Sequence, residues 1–224
     1  MKITVWSDIA CPYCCIAGMR VARALKALHA EDIFTIERKS YELNPNITKP
    51  ELCLSYYAKK MDLEEEDIAP GLKKIERTAA ADGLEFHYDK AIAACTFDAH
   101  RLVKHAEAHG VTDMLDRLFE AHFRDGLDVS DRGVLAALAA KEGLTVDFLD
   151  TDRYAAEVRG DEEEAKKLGI RLVPHFIIDG KYTYSGALSE DYMTNAFRDI
   201  MKKNDFLPPE GKGVTCGPNG CTFN

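Results

Sequence analysis

Two cysteines with two residues between them, Cys11-Pro12-Tyr13-Cys14, follow the short run Ile3-Thr4-Val5-Trp6-Ser7-Asp8 and precede a helical pattern. At a helix start, unpaired backbone N–H groups and the macrodipole stabilise negative charge within the first turn. Helix N-termini and C-x-x-C spacing lower a thiol pKa from ~8.5 into the range of about 3.5–7.5, and the thiolate is the species that attacks disulfides. Cys11 is therefore the expected nucleophile. Cys14, one turn later, is placed to reach back and resolve a mixed disulfide. Pro12 suits the first helical turn, where the N–H it lacks would have had no partner, and Pro12 and Tyr13 together tune the pair. The competing readings are half a zinc site or two cysteines in a buried helix. Zinc normally takes four ligands, and the other close pair, Cys216 and Cys221, has a longer spacing near the C-terminus.

The elements that must hold this pair can be read from periodicity. Val5 and its neighbours form a first strand, and Ile16 to Leu28 a helix with Val21, Leu25 and Leu28 on one face. Phe34 to Arg38 alternates and continues to Tyr41 as a second strand, ended by Asn44-Pro45-Asn46. From about Pro50 to Gly169 the alternation gives way to Ala-, Leu-, Glu- and Lys-rich segments punctuated by glycines, so this region is expected to be helical. Its best helix runs Thr96 to His109. Others are expected at Thr112–Arg124, at Asp131–Glu142 with Ser130 as N-cap, and at Thr151–Lys167. The acidic run Glu64-Glu65-Glu66-Asp67 reads as a solvated helix start. Strand signals return at His175-Phe176-Ile177-Ile178, and Asp179-Gly180 before Tyr182-Thr183-Tyr184-Ser185 is a hairpin signal. Ser189 caps a last helix ending near Lys203, and Pro208-Pro209, Gly211 and Gly213 make the remainder a loose tail.

A chain of 224 residues, 46% hydrophobic, is long enough to bury a substantial core. The formal charge of −9 argues against nucleic acid or an anionic membrane as the main partner. Met1-Lys2 leads straight into a strand, without an apolar h-region or an 18-residue apolar run. The expected location is the cytosol, a reducing compartment in which cysteines are catalytic, metal-binding or buried.

Several segments taken together resemble a known family. Strand, Cys-Pro-Tyr-Cys, helix, strand, helical insertion, Val173-Pro174, hairpin and helix are similar to the DsbA family. More narrowly, residues 7–14, Tyr41-Glu42-Leu43-Asn44-Pro45, Thr96-Phe97-Asp98-Ala99-His100-Arg101-Leu102, Leu172-Val173-Pro174-His175-Phe176 and Ser185-Gly186-Ala187 resemble its FrnE-like dithiol-disulfide oxidoreductase/isomerase branch. That branch is similar in fold to 2-hydroxychromene-2-carboxylate isomerases and kappa-class glutathione transferases. The resemblance implies an α/β, thioredoxin-like fold with an inserted all-helical domain. The thioredoxin-like part would span 1–49 and 170–203, the insertion 50–169, and a C-terminal tail 204–224. It further implies a cis bond between Val173 and Pro174 against the cysteine pair, with the Val173 backbone offered to an extended substrate. It also places the helix of His100 over the active-site cleft, making His100 a candidate cleft-lining residue.

Three features depart from the branch pattern: Cys15 after the motif, Cys95 before Thr96, and the tail. Cys15 is expected in the core, and Cys95 is expected to be buried, with a spare thiol facing the cleft as the alternative. Cys216-Gly217-Pro218-Asn219-Gly220-Cys221 carries turn chemistry that lets the two sulfurs meet, making Cys216 and Cys221 a candidate second dithiol. Such a dithiol would serve either as a static clip or as a shuttle exchanging electrons with Cys11 and Cys14. His100, His105, His109 and His122 complete no obvious metal set.

The expected activity is thiol-disulfide oxidoreduction or isomerisation on protein or peptide disulfides. Cys11 attacks, Cys14 resolves, and Val173-Pro174 position the substrate. The dithiol carries the electrons, so no bound cofactor is required, and glutathione or a thioredoxin-type reductant is the exchange partner. The alternatives are a glutathione-dependent isomerase or transferase, whose relatives commonly carry serine in place of the first cysteine, and a non-catalytic redox sensor.

Overall fold

The computed structural model describes residues 1–206 and the backbone of 214–217 and 220–223. β1 (Lys2–Ser7) leads into α1 (Pro12–Ala27) and then β2 (Thr35–Ser40). After β2 come β3 (Glu51–Leu52), α2 (Cys53–Met61), α3 (Glu65–Ala81), β4 (Ile92–Ala93), α4 (Phe97–Ala108) and α5 (Met114–Phe119). α5 widens into one π-helical turn, Glu120–Arg124, and is followed by α6 (Arg132–Ala140), a 3-10 turn at Asp147–Asp150 and α7 (Ala155–Lys167). The chain then returns through β5 (His175–Ile178), β6 (Tyr182–Ser185) and α8 (Glu190–Lys203).

The main sheet has the order β2-β1-β5-β6, with β1 parallel to β2 and the other pairs antiparallel. A sheet of this topology with helices packed on both faces is a thioredoxin-like α/β fold. The β5–β6 turn is the one that Asp-Gly dictates: Asp179 and Gly180 both take positive φ, 49° and 67°, which matches a type I′ hairpin to the strand twist. Ser189 caps α8 as its residue type predicts, accepting the Tyr192 N–H at 3.3 Å.

Alternation along β1 sorts the core. Ile3 and Val5 face α1 and α8 and, with Phe176 of β5, are closed in by Val21, Leu25, Met193, Phe197 and Ile200. Trp6 faces the other way, against Ala165 and Ile170, and donates its indole N–H to the Asp161 carbonyl at 3.0 Å. Burying each large apolar side chain contributes about 1.5–3 kcal/mol. The third and largest cluster belongs to the helical segment, and it includes Ile9, Cys11, Cys14 and Ile16. α1 thus changes partners along its length: its first turn packs into the helices between β2 and β5, and from Ala17 onward it packs on the sheet.

Two ionic clamps hold this seam. Asp161 on α7 accepts the Ser40 N–H at 2.9 Å and pairs with Lys39 at 3.0 Å and Lys104 at 2.6 Å, tying β2, α4 and α7 together. Arg20 on α1 grips both carboxylate oxygens of Asp82 after α3 and donates to the carbonyls of Ala187 and Leu188.

Some sequence expectations shift. The two-residue strands β3 and β4 pair inside the region read as helical, because two residues cannot display alternation. Asp131, not Ser130, caps α6, accepting the Val134 N–H at 2.9 Å, while Ser130 is engaged by Asp128. The helix expected from Thr151 starts at Ala155, because Tyr154 takes positive φ before it. In the tail, 214–217 and 220–223 pair as an antiparallel ribbon with Cys216 opposite Cys221, where the composition suggested only loose chain. The side chains of this candidate second dithiol lie outside the described residues. No helix among the described residues is long and apolar enough to cross a membrane.

Candidate active site

Cys11 is the N-cap of α1, in extended conformation (φ −96°, ψ 108°), and Pro12 opens the helix. No carboxylate stands in the first turn of α1 to oppose a negative sulfur at its positive end. Successive backbone bonds, Cys11 N–H to Asp8 O and Cys14 N–H to Cys11 O, both 3.0 Å, stack residues 8, 11 and 14 in tight turns. Both thiols are free and buried, at 3% and 4% exposure, whereas Tyr13 between them is 43% exposed.

Opposite the motif, the Val173-Pro174 peptide bond is cis, as the resemblance implies. The Cys11 thiol donates to the Val173 carbonyl oxygen at 3.6 Å, bringing together groups 162 positions apart. The turn is anchored on its far side by Gly186 N–H to Pro174 O at 2.8 Å, and Gly186 needs its positive φ of 84° to make that bend.

The two sulfurs have different surroundings. Burial, and then the adjacent Cys11 thiol, push the Cys14 thiol well above its ordinary value. Cys15, half-buried against the helical core, is pushed up to about 12 by burial and then by Asp116 and Glu120. Buried Cys53 at the start of α2 is pushed up to about 12 by burial alone. Cys95 is half-buried rather than buried, and its thiol donates to Glu42 at 3.7 Å.

His100 does not reach open solvent. It is 3% exposed, and its Nε2 lies 3.4 Å from Asp8 Oδ1, beneath the motif rather than on the cleft surface. Asp8 is fully buried and accepts the Leu43 N–H at 2.7 Å and the Ala10 N–H at 3.3 Å. Burial alone would raise the Asp8 pKa. His100, the Leu43 N–H and the Thr96 hydroxyl outweigh it, so the carboxyl is held below its usual range. Next to this pair the Glu42 side chain is buried, receives Arg159 and accepts from Cys95. Its pKa is raised, with burial the leading cause.

Asp8, Glu42, His122, Tyr57 and Tyr88 were not read as site residues from sequence. Asp8, Glu42 and the Thr96–His100 segment fall inside the motifs that carried the resemblance, which is the signal that was present. Tyr57 and Tyr88 left none, arriving from α2 and from the loop after α3, and His122 stood out only among the histidines that complete no metal set. Burial and then nearby Cys53 and Cys11 push the Tyr57 hydroxyl up, and burial and then Tyr57 do so for Tyr88.

The fold and the site define a class: a thioredoxin-like protein with a dithiol at the N-terminus of its first helix, facing a cis-proline turn. The chain belongs to the DSBA-like thioredoxin domain family, which matches residues 2–198. Among solved structures it is similar to the "probable DsbA oxidoreductase" SCO1869 from Streptomyces coelicolor, 32% identical over 99% of this chain and 98% of that one, with a TM-score of 0.83. A 2-hydroxychromene-2-carboxylate isomerase shares the fold at 15% identity, covering 93% of this chain and 100% of that one, TM-score 0.64. The cytosolic disulfide reductase DsbM from Pseudomonas aeruginosa does so at 19% identity, covering 91% and 100%, TM-score 0.63. The chain is thus a DsbA-like member of the thiol oxidoreductases.

Proposed function

We propose that the protein is a thiol-disulfide oxidoreductase for protein or peptide disulfides, working through Cys11 and Cys14, and that it can also act as an isomerase. The observation that carries this reading is the position of the Cys11 sulfur: at the helix N-cap, 3.6 Å from the Val173 carbonyl, with Cys14 buried one turn behind. In the reductive direction, Cys11 thiolate attacks a substrate sulfur, the substrate disulfide breaks, and one substrate thiol leaves. Cys14, as thiolate, then attacks the Cys11 sulfur, and the second substrate sulfur departs as a thiolate that takes up a proton. The cysteine pair loses two electrons and the substrate gains two. An extended substrate backbone alongside Val173 would hold the scissile disulfide in line with Cys11. If a substrate thiol attacks the mixed disulfide before Cys14 does, the result is isomerisation.

Glutathione as exchange partner is supported by DsbM, whose fold is shared and whose structure has been solved with GSH. DsbM is named a cytosolic enzyme, consistent with a cytosolic location for this chain. The FrnE-like branch remains the narrower reading, carried by the residues quoted for it.

A glutathione redox titration with each cysteine alkylated and mapped tests the proposal. A reversible Cys11–Cys14 couple is expected, near −120 to −200 mV for an oxidant or isomerase and near −270 mV for a reductase. Cys11 held as a glutathione adduct with no internal disulfide would instead point to a glutathione-dependent isomerase or transferase.

A further inference from the structure

A cleft of about 470 Å³ opens beside the segment that leads into the cis-proline turn, between the residues after β2, α7 and residues 169–171. Five of its lining side chains carry charge: Glu42, Arg159, Glu162, Lys166 and Arg171. Three of them are committed to one another. Arg159 stands between Glu42 at 2.5 Å and Glu162 at 2.6 Å, with its guanidinium 4.1 Å from the centre of the Phe97 ring. Glu162 also accepts the Glu42 N–H at 3.3 Å. Lys166 follows Glu162 by four positions, the spacing of a helical ion pair, yet Glu162 is turned to Arg159 instead. Among the described residues, the Lys166 ammonium and the Arg171 guanidinium pair with no carboxylate, and both residues are exposed.

The fold does not call for these two cations. A lysine in the last turn of a helix complements the macrodipole. Here, however, the last carbonyls of α7, those of Glu164, Ala165 and Lys166, are already taken by the N–H groups of Leu168, Ile170 and Gly169. Arg171 lies beyond the helix altogether. We propose that Lys166 and Arg171 form a carboxylate-recognition subsite, which selects substrates bearing an acidic group two to three residues from the disulfide-bonded cysteine. The proposal rests on the thiol-exchange reading above and adds to it the charge of the substrate.

Position and charge carry the inference. Arg171 precedes Val173 by two positions, at most about 7 Å of chain, and the Val173 carbonyl is 3.6 Å from the Cys11 sulfur. A substrate strand running alongside Val173 toward Arg171 turns alternate side chains to one face, so the residue two positions from the one opposite Val173 comes opposite Arg171. Lys166 supplies a second cation from the last turn of α7, on the wall of the same cleft. The lining side chains carry three cations against two carboxylates, on a chain whose formal charge is −9. Such a chain repels anions at long range, and a local excess of cations offsets that where an acidic substrate must dock. Acidic peptides share this chemistry with glutathione, which has a carboxylate on either side of its cysteine.

The test uses two capped peptide disulfides, homodimers identical except for Glu or Gln two positions to either side of the cysteine. The readout is the second-order rate at which each oxidises Cys11 and Cys14 of the reduced full-length protein, followed by acid quench and mass mapping. At low ionic strength the Glu peptide is expected to react about three- to tenfold faster than the Gln peptide, one opposite-charge pair across strands corresponding to up to about fivefold. In the Lys166→Gln/Arg171→Gln double variant the ratio should fall to about one. In wild type it should fall likewise at about 0.5 M NaCl, where screening shortens the reach of exposed charges. Equal rates for the two peptides in wild type, or a full preference kept by the double variant, would overturn the proposal, and the wild-type comparison needs no variant to fold. Oxidised glutathione identifies the source of the carboxylate: a rate lowered about threefold or more in the double variant extends the subsite to glutathione, and an unchanged rate confines it to acidic polypeptides. A reduced protein that forms no Cys11–Cys14 disulfide with either peptide or with neutral bis(hydroxyethyl) disulfide overturns the thiol-exchange reading itself, a result distinct from equal rates.

Discussion

The sulfur of Cys11 and the carbonyl oxygen of Val173 are 3.6 Å apart although 162 positions separate them along the chain. This contact joins the helix that carries the dithiol to the turn before β5, and it sets Cys11, at the helix N-cap, apart from the cysteines packed elsewhere in the helical core.

That division predicts alkylation. In the native reduced protein at pH 7, iodoacetamide should modify Cys11 well before Cys14, Cys15 or Cys53. The latter three are held as thiols, Cys15 and Cys53 by pKa values pushed up to about 12. Peptide mapping after a short pulse checks the order, and early labelling of Cys15 or Cys53 would refute it.

Exchanging Cys14 for serine removes the proposed resolving thiol while leaving the Cys11–Val173 contact in place. Cys14→Ser should therefore accumulate a stable mixed disulfide on Cys11, seen by intact mass, while Cys11→Ser should lose at least about a hundredfold in turnover.

Acid stability should report His122. Its pKa falls from an unperturbed 6.5 to about 4 in the fold, with burial the first cause. The unfolded chain therefore binds the extra proton first. The stabilisation is complete above about pH 6.5 and is lost as pH falls toward 4, a loss of about 2–3 kcal/mol by pH 4.5. Asp8, with its pKa lowered, adds loss at still lower pH, because its contribution disappears as pH falls through the folded value. Urea unfolding at pH 7 and 4.5 should show a smaller pH dependence in His122→Gln than in wild type.

Asp161 should matter for stability more than its place on a charged helix suggests. Asp161→Ala leaves the Ser40 N–H without its acceptor and takes one carboxylate partner from Lys39, which keeps Glu164 at 3.2 Å, and from Lys104, which keeps the Arg38 carbonyl at 2.9 Å, with an expected cost of about 2 kcal/mol in urea unfolding. A loss under about 1 kcal/mol would mean that solvent replaces the carboxylate freely.

The Phe197 ring, fully buried and 5.1 Å from the Phe34 ring, anchors α8 to the sheet. Phe197→Ala should cost about 3–5 kcal/mol, read as a lowered denaturation midpoint without a change in which cysteine is alkylated first.

What the sequence by itself determined was local. The Cys11-Pro12-Tyr13-Cys14 spacing, the period of β1 and α1, the Asp179-Gly180 turn and the Ser189 cap each depend on neighbours within a few positions, where backbone sterics and short hydrogen bonds decide the outcome. Side-chain type also marked the family motifs, although not why they recur. Tertiary structure alone decided that Leu43 N–H and His100 meet on Asp8, that Glu42 receives both Arg159 and Cys95, and that Asp161 binds β2. It also moved the α6 cap to Asp131, opened a π turn under His122 and paired strands two residues long. The contacts on Asp8, Glu42 and Asp161 join residues tens of positions apart, and no periodicity encodes them. They form because buried charges and backbone groups at the seam between sheet and insertion must find partners there or forfeit their hydration.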